Sequence, residues 1–334
     1  MVVPVSPPPL PDVPLPPRTA TVVVATYNRP EYVRTCLRYL QAQTVPPTQV
    51  IVVDASGTTE TRDVVKEFPG VTYLRNNRGP GHTATSRSVG LAAATGDVLA
   101  FLDDDAYADP DWLEQLLARY DDPRVAAVGG LARRGQPGEE SEGIGEIGLL
   151  LPNGRLTGFF AANPGRDVDV DHLIGANMSI RRSIANELGG IHDHYPGTCL
   201  REETDMLLRM RRAGYRAVYT PDAAVEHVAG PYARGRRFDL RYTYYGSRNH
   251  VVLLARTLGL RDRHTRRYVA SAAIEIVDQS RSAVRALLPR SGTSTRARFR
   301  TAGGGALRAI AIGAGLVVGT GTAVSLRLRE GPVR

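Results

Sequence analysis

Short apolar runs alternate with amphipathic segments over the first third of the chain. Apolar, mostly β-branched runs predict buried strands over residues 19–26, 49–56, 71–75 and 97–102. The segments between them space their apolar residues three and four apart and predict helices, the first over residues 28–43 with Pro30 near its start. Strands that alternate with helices in this way indicate βαβ units and a mainly parallel sheet flanked by helices, which is an α/β fold.

The same pattern continues further along the chain and then changes. It predicts a helix over 109–120, a strand over 124–132, a strand, turn and helix over 168–190, and a helix then a strand over 201–228. Residues 133–165 are glycine-rich and carry no assignment. Beyond Tyr232 the chain is rich in arginine, and its amphipathic stretches predict helices over 236–258 and 264–288.

The beginning of the chain has a different composition. Residues 1–17 contain eight prolines and predict an extended or disordered leader. We expect no signal peptide, because no basic start is followed by an apolar run. The predicted organisation is therefore a leader over 1–17, a Rossmann-like domain over 18–232 and a helical extension over 233–334.

Charge and cysteine content narrow the class of protein. The formal net charge is +8, and arginine supplies every basic residue except Lys66. This surplus suits phosphates or an anionic membrane surface. The two cysteines, Cys36 and Cys199, form neither a CxxC pair nor a disulfide framework, which favours a cytoplasmic setting.

Three consecutive carboxylates, Asp103 to Asp105, follow the fourth predicted strand. Like charges this close repel one another unless something positive lies among them or water solvates them. A D-x-D pattern at a strand end suits Mg²⁺ or Mn²⁺, whereas an acidic loop that caps the next helix is the simpler alternative. Asp54 ends the second predicted strand, so it and the D-x-D pattern share the sheet edge where ligands bind in such folds.

Five stretches together resemble one known family. They are VVVATYNRP, VIVVDAS, NRGPGHTATSRSVGLAAATGDVLAFLDDDA, GANMSIRR and REETDMLLRMRRAGYRAVYTPDAAVEH, and they cover roughly residues 20–230. In this order and spacing they resemble the GT-A fold of inverting glycosyltransferases of family 2. The resemblance implies a metal-dependent enzyme that moves a sugar from a nucleotide-diphosphate donor to a hydroxyl of a glycan, a lipid-linked intermediate or a small metabolite.

The resemblance also implies a donor site and a metal site. The implied donor-binding residues are Thr26, Tyr27, Asn28, Arg29, Asp54, Arg87, Asp103 and Asp104. Arg87 would face the pyrophosphate, although Ser88 stands where the family often has asparagine. Asp103 and Asp105 would bind Mn²⁺ or Mg²⁺, and His227 would complete the metal site unless it is simply a structural histidine.

Sugar transfer with inversion needs a general base, and the segment REETD offers three carboxylates. The family commonly has Glu-Asp here, with the aspartate as base, and Glu203 holds that position. Glu202 is the reserve candidate, and Asp205 would orient neighbouring groups. The alternative is that these acidic residues only stabilise a helix N-terminus.

The segment GANMSIRR has two interpretations. It would form the acceptor side of the site, with Asn177 and Arg181 as contacts, or it is merely a turn between a strand and a helix.

Three other motifs carry less weight. GIGEIG over 143–148 fits GxGxxG but follows GEESE and no strand, which argues against a dinucleotide site. Asp167, Asp169 and Asp171 alternate along one strand face, which we expect to be the solvent face. The segment HDH over 192–194 resembles a metal pair, but it follows two glycines and is expected in a loop.

Other functions remain open from the residues alone. A nucleotidyltransferase would need a glycine- and lysine-rich loop after the first strand, where ATYNRPEY stands instead. A nucleic-acid-binding protein would interleave basic and aromatic residues on one platform, whereas the arginines here concentrate near the C-terminus. An inactive or partner-binding relative is disfavoured by the carboxylates at Asp103, Asp105 and Glu203.

The stretch over 309–326 holds 18 uncharged residues, at the lower limit for a membrane span. Its glycines and threonines favour a packed helix, or one that lies on the membrane surface beside basic helices. The sequence thus predicts a cytoplasmic protein with peripheral contact at the inner face of the membrane.

Overall fold

The computed structural model describes residues 18–197, 201–228, 239–288 and 294–331. The predicted leader, Cys199 and the predicted boundary at 232/233 lie outside these residues. The first part of the chain folds as strands and helices in alternation. They are β1 (Ala20–Thr26), α1 (Pro30–Gln41), β2 (Gln49–Asp54), α2 (Glu60–Val65), β3 (Val71–Arg75), α3 (Thr83–Ala93) and β4 (Val98–Asp103). These elements lie where the apolar pattern predicts them.

The elements that follow are shorter and less regular. They are β5 (Ala106–Ala108), α4 (Trp112–Ala118), β6 (Val125–Arg133), β7 (Val168–Asp169), β8 (Asn177–Arg181), α5 (Arg182–Glu187), α6 (Glu202–Arg212) and β9 (Arg216–His227). Single 3₁₀ turns lie at Arg119–Asp121 and Ile144–Glu146. The apolar pattern does not predict β5, because three residues that follow an acidic segment carry no periodic signal.

One sheet joins the strands in the order β3-β2-β1-β4-β8-β6-β9-β5, and β7 pairs with β9. The half from β3 to β4 is parallel, as predicted. The other half is mixed, because β8 enters antiparallel between β4 and β6. The α/β class, the flanking helices and the helical C-terminal region are confirmed.

Apolar side chains cover both faces of the sheet because successive strand residues point to opposite sides. Val22 and Val24 face one core with Leu37 and Trp112, whereas Val23 faces the other. A strand that is buried on both faces reads as a continuous apolar run.

Strand register brings the carboxyl ends of three strands to one edge of the sheet. Thr26 on β1 lies opposite Asp54 on β2, and Ala25 lies opposite Asp103 on β4. The acidic segment after β4 then turns into β5, where Ala106 lies opposite His227. This last pairing brings together residues more than a hundred positions apart.

The C-terminal region forms three helices: α7 (Leu240–Thr257), α8 (Arg263–Leu287) and α9 (Thr295–Glu330). Asp239, Asp262 and Ser294 cap their N-termini. Helix α9 packs closely on α7, since a Cβ at Gly315 would lie 2.7 Å from the carbonyl oxygen of Tyr244. The apolar stretch over 309–326 is thus part of a 36-residue helix that packs on one side.

Candidate active site

A cavity of about 730 Å³ opens at the carboxyl edge of the parallel strands. Many of the residues predicted for the site line it, namely Thr26, Tyr27, Arg29, Arg87, Asp103, Asp104, Asp105, Glu202, Glu203 and His227. The glycine turn over 79–82 forms another part of the wall. The volume falls within the range of pockets that hold nucleotide-sized ligands.

Asp103, Asp105 and His227 form a cluster that could hold a metal ion. Each offers one ligand atom, and these atoms lie within 4.8 Å of one another. His227 Nε2 lies 3.4 Å from Asp105 Oδ1. Two carboxylates and an imidazole suit Mn²⁺, and small side-chain movements would bring all three onto one ion. The residues present therefore fit the group that the resemblance implies.

Asp104 lies beside this cluster and shares the Arg29 guanidinium with Asp105. Its carboxylate accepts hydrogen bonds from Thr26 Oγ1 at 2.7 Å and from Arg29 Nη1 at 3.0 Å. Arg29 also bonds Asp105, at 3.1 Å. Burial raises the pKa of Asp104 to about 7, against the opposing charge of Arg29. Thr26 and Arg29 thus hold the aspartate segment in place.

Arg87 connects the metal cluster to helix α6. Its guanidinium donates to Glu202 Oε1 at 2.8 Å, to Asp103 Oδ1 at 3.1 Å and to the Gly175 carbonyl at 2.9 Å. A Cβ at Gly175 would lie 2.3 Å from Arg87 Nη2, so a glycine is needed for this approach. The resemblance implies that Arg87 faces a pyrophosphate, and in the structure its guanidinium contacts these protein groups.

Two adjacent glutamates at the start of α6 have different surroundings. Glu202 is buried, and its Oε2 has no hydrogen-bond partner among the described residues. Burial and then the charge of Glu203 raise the pKa of Glu202 well above its ordinary value, while Arg87 opposes the shift. Glu203 is half-buried on the cavity wall. Of the two, Glu203 has the freer access to a ligand in the cavity.

Asp205 lies on the inner side of α6, where it is fully buried. Tyr195 and Arg209 donate hydrogen bonds to its carboxylate, and His192 lies 3.5 Å away. Burial would raise the pKa of Asp205, but the charge of Arg209 and the contact with His192 hold it below its ordinary value. Asp205 therefore anchors α6 and lies outside the cavity wall.

The predicted acceptor residues Asn177 and Arg181 also lie outside the cavity lining. Asn177 is fully buried; it accepts from Trp112 Nε1 and donates to the carbonyls of Leu131 and Ala223. The Arg181 guanidinium donates to the carbonyls of residues 120, 122 and 125. Their hydrogen bonds join strands and loops of the protein, and their role toward an acceptor stays a prediction.

Two predicted donor residues, Asp54 and Asn28, lie beside the cavity lining, where Asp54 faces the protein interior and Asn28 is exposed. Asp54 is fully buried, and its carboxylate accepts from the Ser56 amide and from the Tyr73 hydroxyl. Asn28 has a left-handed backbone (φ 54°), and its amide donates to Ser56 Oγ. These contacts shape the turn after β1 beside the cavity.

The remaining motifs have structural partners. Asp193, from HDH, accepts hydrogen bonds from Arg78 and Thr85 and so ties its loop to the glycine turn. Asp167 and Asp169 pair with surface arginines, as expected for a solvent face. GIGEIG contains the 3₁₀ turn Ile144–Glu146.

Sequence reasoning missed a contribution of α7 to the cavity. Arg241 and Tyr242, in the first turn of α7, line the wall. The ring of Tyr245 packs against Gly197, where a Cβ would lie 2.3 Å from it. A lone arginine or tyrosine in an arginine-rich helix carries no signal of this placement.

Comparison with known proteins decides the family. The sequence pattern of Glycosyl transferase family 2 matches residues 21–189, which is half of the chain. The chain belongs to glycosyltransferase family 2. Membership makes it a glycosyltransferase and sets aside the nucleotidyltransferase and nucleic-acid-binding alternatives.

Relatives and solved structures of the family agree. The chain is 28% identical over 211 residues to the O-antigen chain rhamnosyltransferase WbaN of Salmonella anatum, covering 62% of this chain and 65% of that protein. It is 30% identical over 223 residues to a glucosyl-dolichyl phosphate glucuronosyltransferase of Haloferax volcanii, covering 62% and 68%. The match thus spans about two thirds of the length of these relatives.

The fold matches a mannosyltransferase of Pyrobaculum calidifontis solved with GDP-Man and Mn²⁺. The TM-score is 0.55 at 18% identity, over 94% of this chain and 88% of that one. GalNAc-T7, solved with UDP, GalNAc and Mn²⁺, matches with a TM-score of 0.56 at 17% identity, over 85% and 54%. These likenesses show the GT-A fold.

Proposed function

We propose that this glycosyltransferase moves a sugar, with inversion and in a metal-dependent reaction, from a nucleotide-diphosphate donor to a hydroxyl acceptor. The observation that carries the proposal is the placement of Glu203 and the cluster of Asp103, Asp105 and His227 on the wall of one cavity. A carboxylate base and a metal site in one cavity are what this chemistry needs.

Glu203 would act as the general base. Its carboxylate takes the proton of the acceptor hydroxyl while the acceptor oxygen attacks the anomeric carbon. The bond from that carbon to the diphosphate oxygen breaks, and the nucleoside diphosphate leaves with the electron pair. Attack from the face opposite the leaving group inverts the anomeric centre.

Asp103, Asp105 and His227 would hold Mn²⁺ or Mg²⁺. When bound, the metal stabilises the negative charge that develops on the departing diphosphate. Asp104, fixed by Thr26 and Arg29, would face the ribose or the sugar of the donor. Tyr27 and the glycine turn complete this side of the cavity.

The acceptor would approach from the side of α7, where Arg241 and Tyr242 line the cavity. An arginine at this place suits an acceptor that carries phosphate. One relative is named for a dolichyl phosphate substrate. A lipid-linked acceptor would place the enzyme in the cytoplasm, at the inner face of the membrane.

Calorimetry tests the donor and the metal together. UDP, GDP, dTDP and CDP are each titrated into the protein with and without Mn²⁺. We expect one of them to bind only with the metal, and Asp105→Ala to abolish that binding. Asp63→Ala removes an exposed carboxylate of α2 and serves as the matched control. Metal-dependent binding that survives Asp105→Ala would contradict the assigned metal site.

A further inference from the structure

Helix α9 presents an uncharged face to the outside of the protein. Eight of its exposed positions recur every three or four residues and lie in one row along the helix. They are Gly303, Leu307, Ile310, Ala314, Val317, Gly321, Val324 and Leu328, which we call the outer row. Ile310 is 65% exposed and Val317 is 74% exposed. A continuous apolar row of this length on a surface helix marks an interaction site.

The opposite side of α9 is already occupied by α7. A Cβ at Gly319 would lie 2.3 Å from Val251 Cγ1 and 2.6 Å from the Arg248 carbonyl oxygen. The buried positions of α9 are small or apolar, as close helix packing requires. Helix α9 therefore has two apolar faces. One packs on α7, and the outer row is the other.

Charge on the same helix indicates what covers the outer row. Helix α9 carries six arginines and one acidic residue, Glu330, which is its last. The arginines flank the 18 uncharged residues over 309–326 at both ends. Arginine side chains beside an apolar row can reach phosphate headgroups while the row enters the acyl region.

Helix α8 packs on α9 and also exposes apolar side chains. It exposes Ile274, Val277 and Val284, of which Val284 is 65% exposed, and it carries Arg281 and Arg285 together with the acidic Glu275 and Asp278. Two adjacent helices thus combine exposed apolar side chains with arginines.

The packing of α7 decides the orientation of α9. By length and composition α9 could cross a membrane, with 28% of its apolar window buried. However, Gly315 and Gly319 contact the part of α7 that carries Arg248, and α7 also packs on α6 of the transferase domain. A spanning α9 would draw these polar groups into hydrocarbon, which is costly. An orientation in the plane of the membrane avoids that cost.

We propose that the outer row of α9, with the exposed side chains of α8, docks the enzyme onto an anionic lipid bilayer with α9 parallel to the surface. The cavity residues Arg241 and Tyr242 lie about one helical turn from Tyr244, which contacts Gly315. In this orientation α9 lies between the bilayer and α7, whose first turn carries Arg241 and Tyr242 on the cavity wall. The docking itself does not depend on the proposed chemistry.

Co-sedimentation with vesicles tests the docking of the full chain. The vesicles contain phosphatidylcholine alone or an equimolar mixture with phosphatidylglycerol. We expect strong binding to the mixture, weaker binding to phosphatidylcholine alone, and loss of binding as salt increases.

Two sets of variants measure separately how much the arginines and the outer row contribute to vesicle binding. Replacing Arg296, Arg300 and Arg308 by glutamine lowers affinity on the order of 100-fold, since each basic side chain near an anionic surface contributes about a factor of five. The matched control replaces the exposed Arg38, Arg62 and Arg166 by glutamine, with the same change in net charge and no loss of binding.

The double variant Ile310→Ser/Val317→Ser tests the outer row and lowers the affinity for the mixed vesicles on the order of 100-fold. Its control is Ile144→Ser, which changes an exposed apolar residue elsewhere and leaves the affinity unchanged.

Three results would overturn the proposal. One is equal binding of the row variants and the wild type to the mixed vesicles. Another is no vesicle binding together with a dimer, seen by light scattering, that the row variants dissociate, because the partner would then be a second copy of the chain. The third is bound protein that alkaline carbonate fails to release, which would indicate a span. Thermal unfolding followed by circular dichroism verifies that each variant is folded.

Discussion

Arg87 and Glu202 form a buried ion pair, 2.8 Å apart, between helix α3 and the start of α6. The same guanidinium donates to Asp103, which belongs to the candidate metal cluster. The pair thus joins the end of β4 to the helix that carries the candidate base. An ion pair in this position fixes the two halves of the site relative to each other.

Removing Arg87 should destabilise the protein through Glu202. Arg87→Met removes the cation beside Glu202, whose buried carboxyl then takes up a proton and keeps no hydrogen-bond partner in Arg87, and should lower the free energy of unfolding by about 1–3 kcal/mol. The double variant Arg87→Met/Glu202→Gln should recover part of the loss, because glutamine is neutral without taking up a proton. Urea unfolding of the wild type, both single variants and the double variant measures the coupling. Additive losses would contradict the pair.

Glu203→Gln should keep donor binding and lose transfer. The amide cannot take the acceptor proton, so kcat should fall by a factor of at least 100 while the nucleoside diphosphate binds as before. Glu202→Gln is the matched variant on the next residue; we expect it to affect stability more than kcat. Near-normal turnover of Glu203→Gln, with loss of turnover in Glu202→Gln, would move the base to Glu202.

Asn177→Ala should act on stability. The change leaves Trp112 Nε1 and two buried carbonyls without their partner, and each lost hydrogen bond of this kind costs about 1–3 kcal/mol. We therefore expect a loss of about 3 kcal/mol or more in urea unfolding, with KM for acceptor unchanged in the folded protein. An increase in acceptor KM without destabilisation would return Asn177 to the acceptor site.

Stability should fall in mild acid because of His172. Burial, then the charge of Arg201, lowers the pKa of His172 to about 4, although its hydrogen bond to the Thr157 carbonyl opposes the shift. In the unfolded chain the histidine takes up a proton near pH 6.5, whereas buried His172 stays neutral until about pH 4. The stability that neutral His172 contributes is therefore complete above pH 6.5 and is lost as the pH falls towards 4. The shift in the pKa of His172 corresponds to a loss of about 3 kcal/mol in the free energy of unfolding. His250, which is also fully buried, has its pKa lowered in the same direction.

Urea unfolding at pH 7.5 and pH 4.5 checks this dependence. His172→Gln should lose less stability between the two pH values than the wild type does. His82→Gln makes the same change at a partly exposed histidine and is measured beside it as the matched variant. An equal loss in His172→Gln and in the wild type would contradict the prediction.

The sequence by itself determined the elements of the parallel half of the sheet and the place of the acidic motif. Apolar runs mark β1, β2 and β4 because each strand is buried on both faces, and this property is local to the run. The sequence also determined the family, since five stretches in a fixed order resemble those of glycosyltransferase family 2. The carboxylates gathered at the sheet edge follow from parallel strands that end together.

Only the tertiary structure decided which polar side chains face the cavity. Asn177 and Arg181 turn inward to bond strands and carbonyls, whereas Arg241 and Tyr242 reach the cavity from a helix far along the chain. His227 meets Asp105 because β9 pairs with β5, a contact between distant segments that no local pattern encodes. A polar residue next to a strand end looks the same in sequence whether it bonds the protein or a ligand. Its neighbours in space make the difference, and long-range packing sets those neighbours.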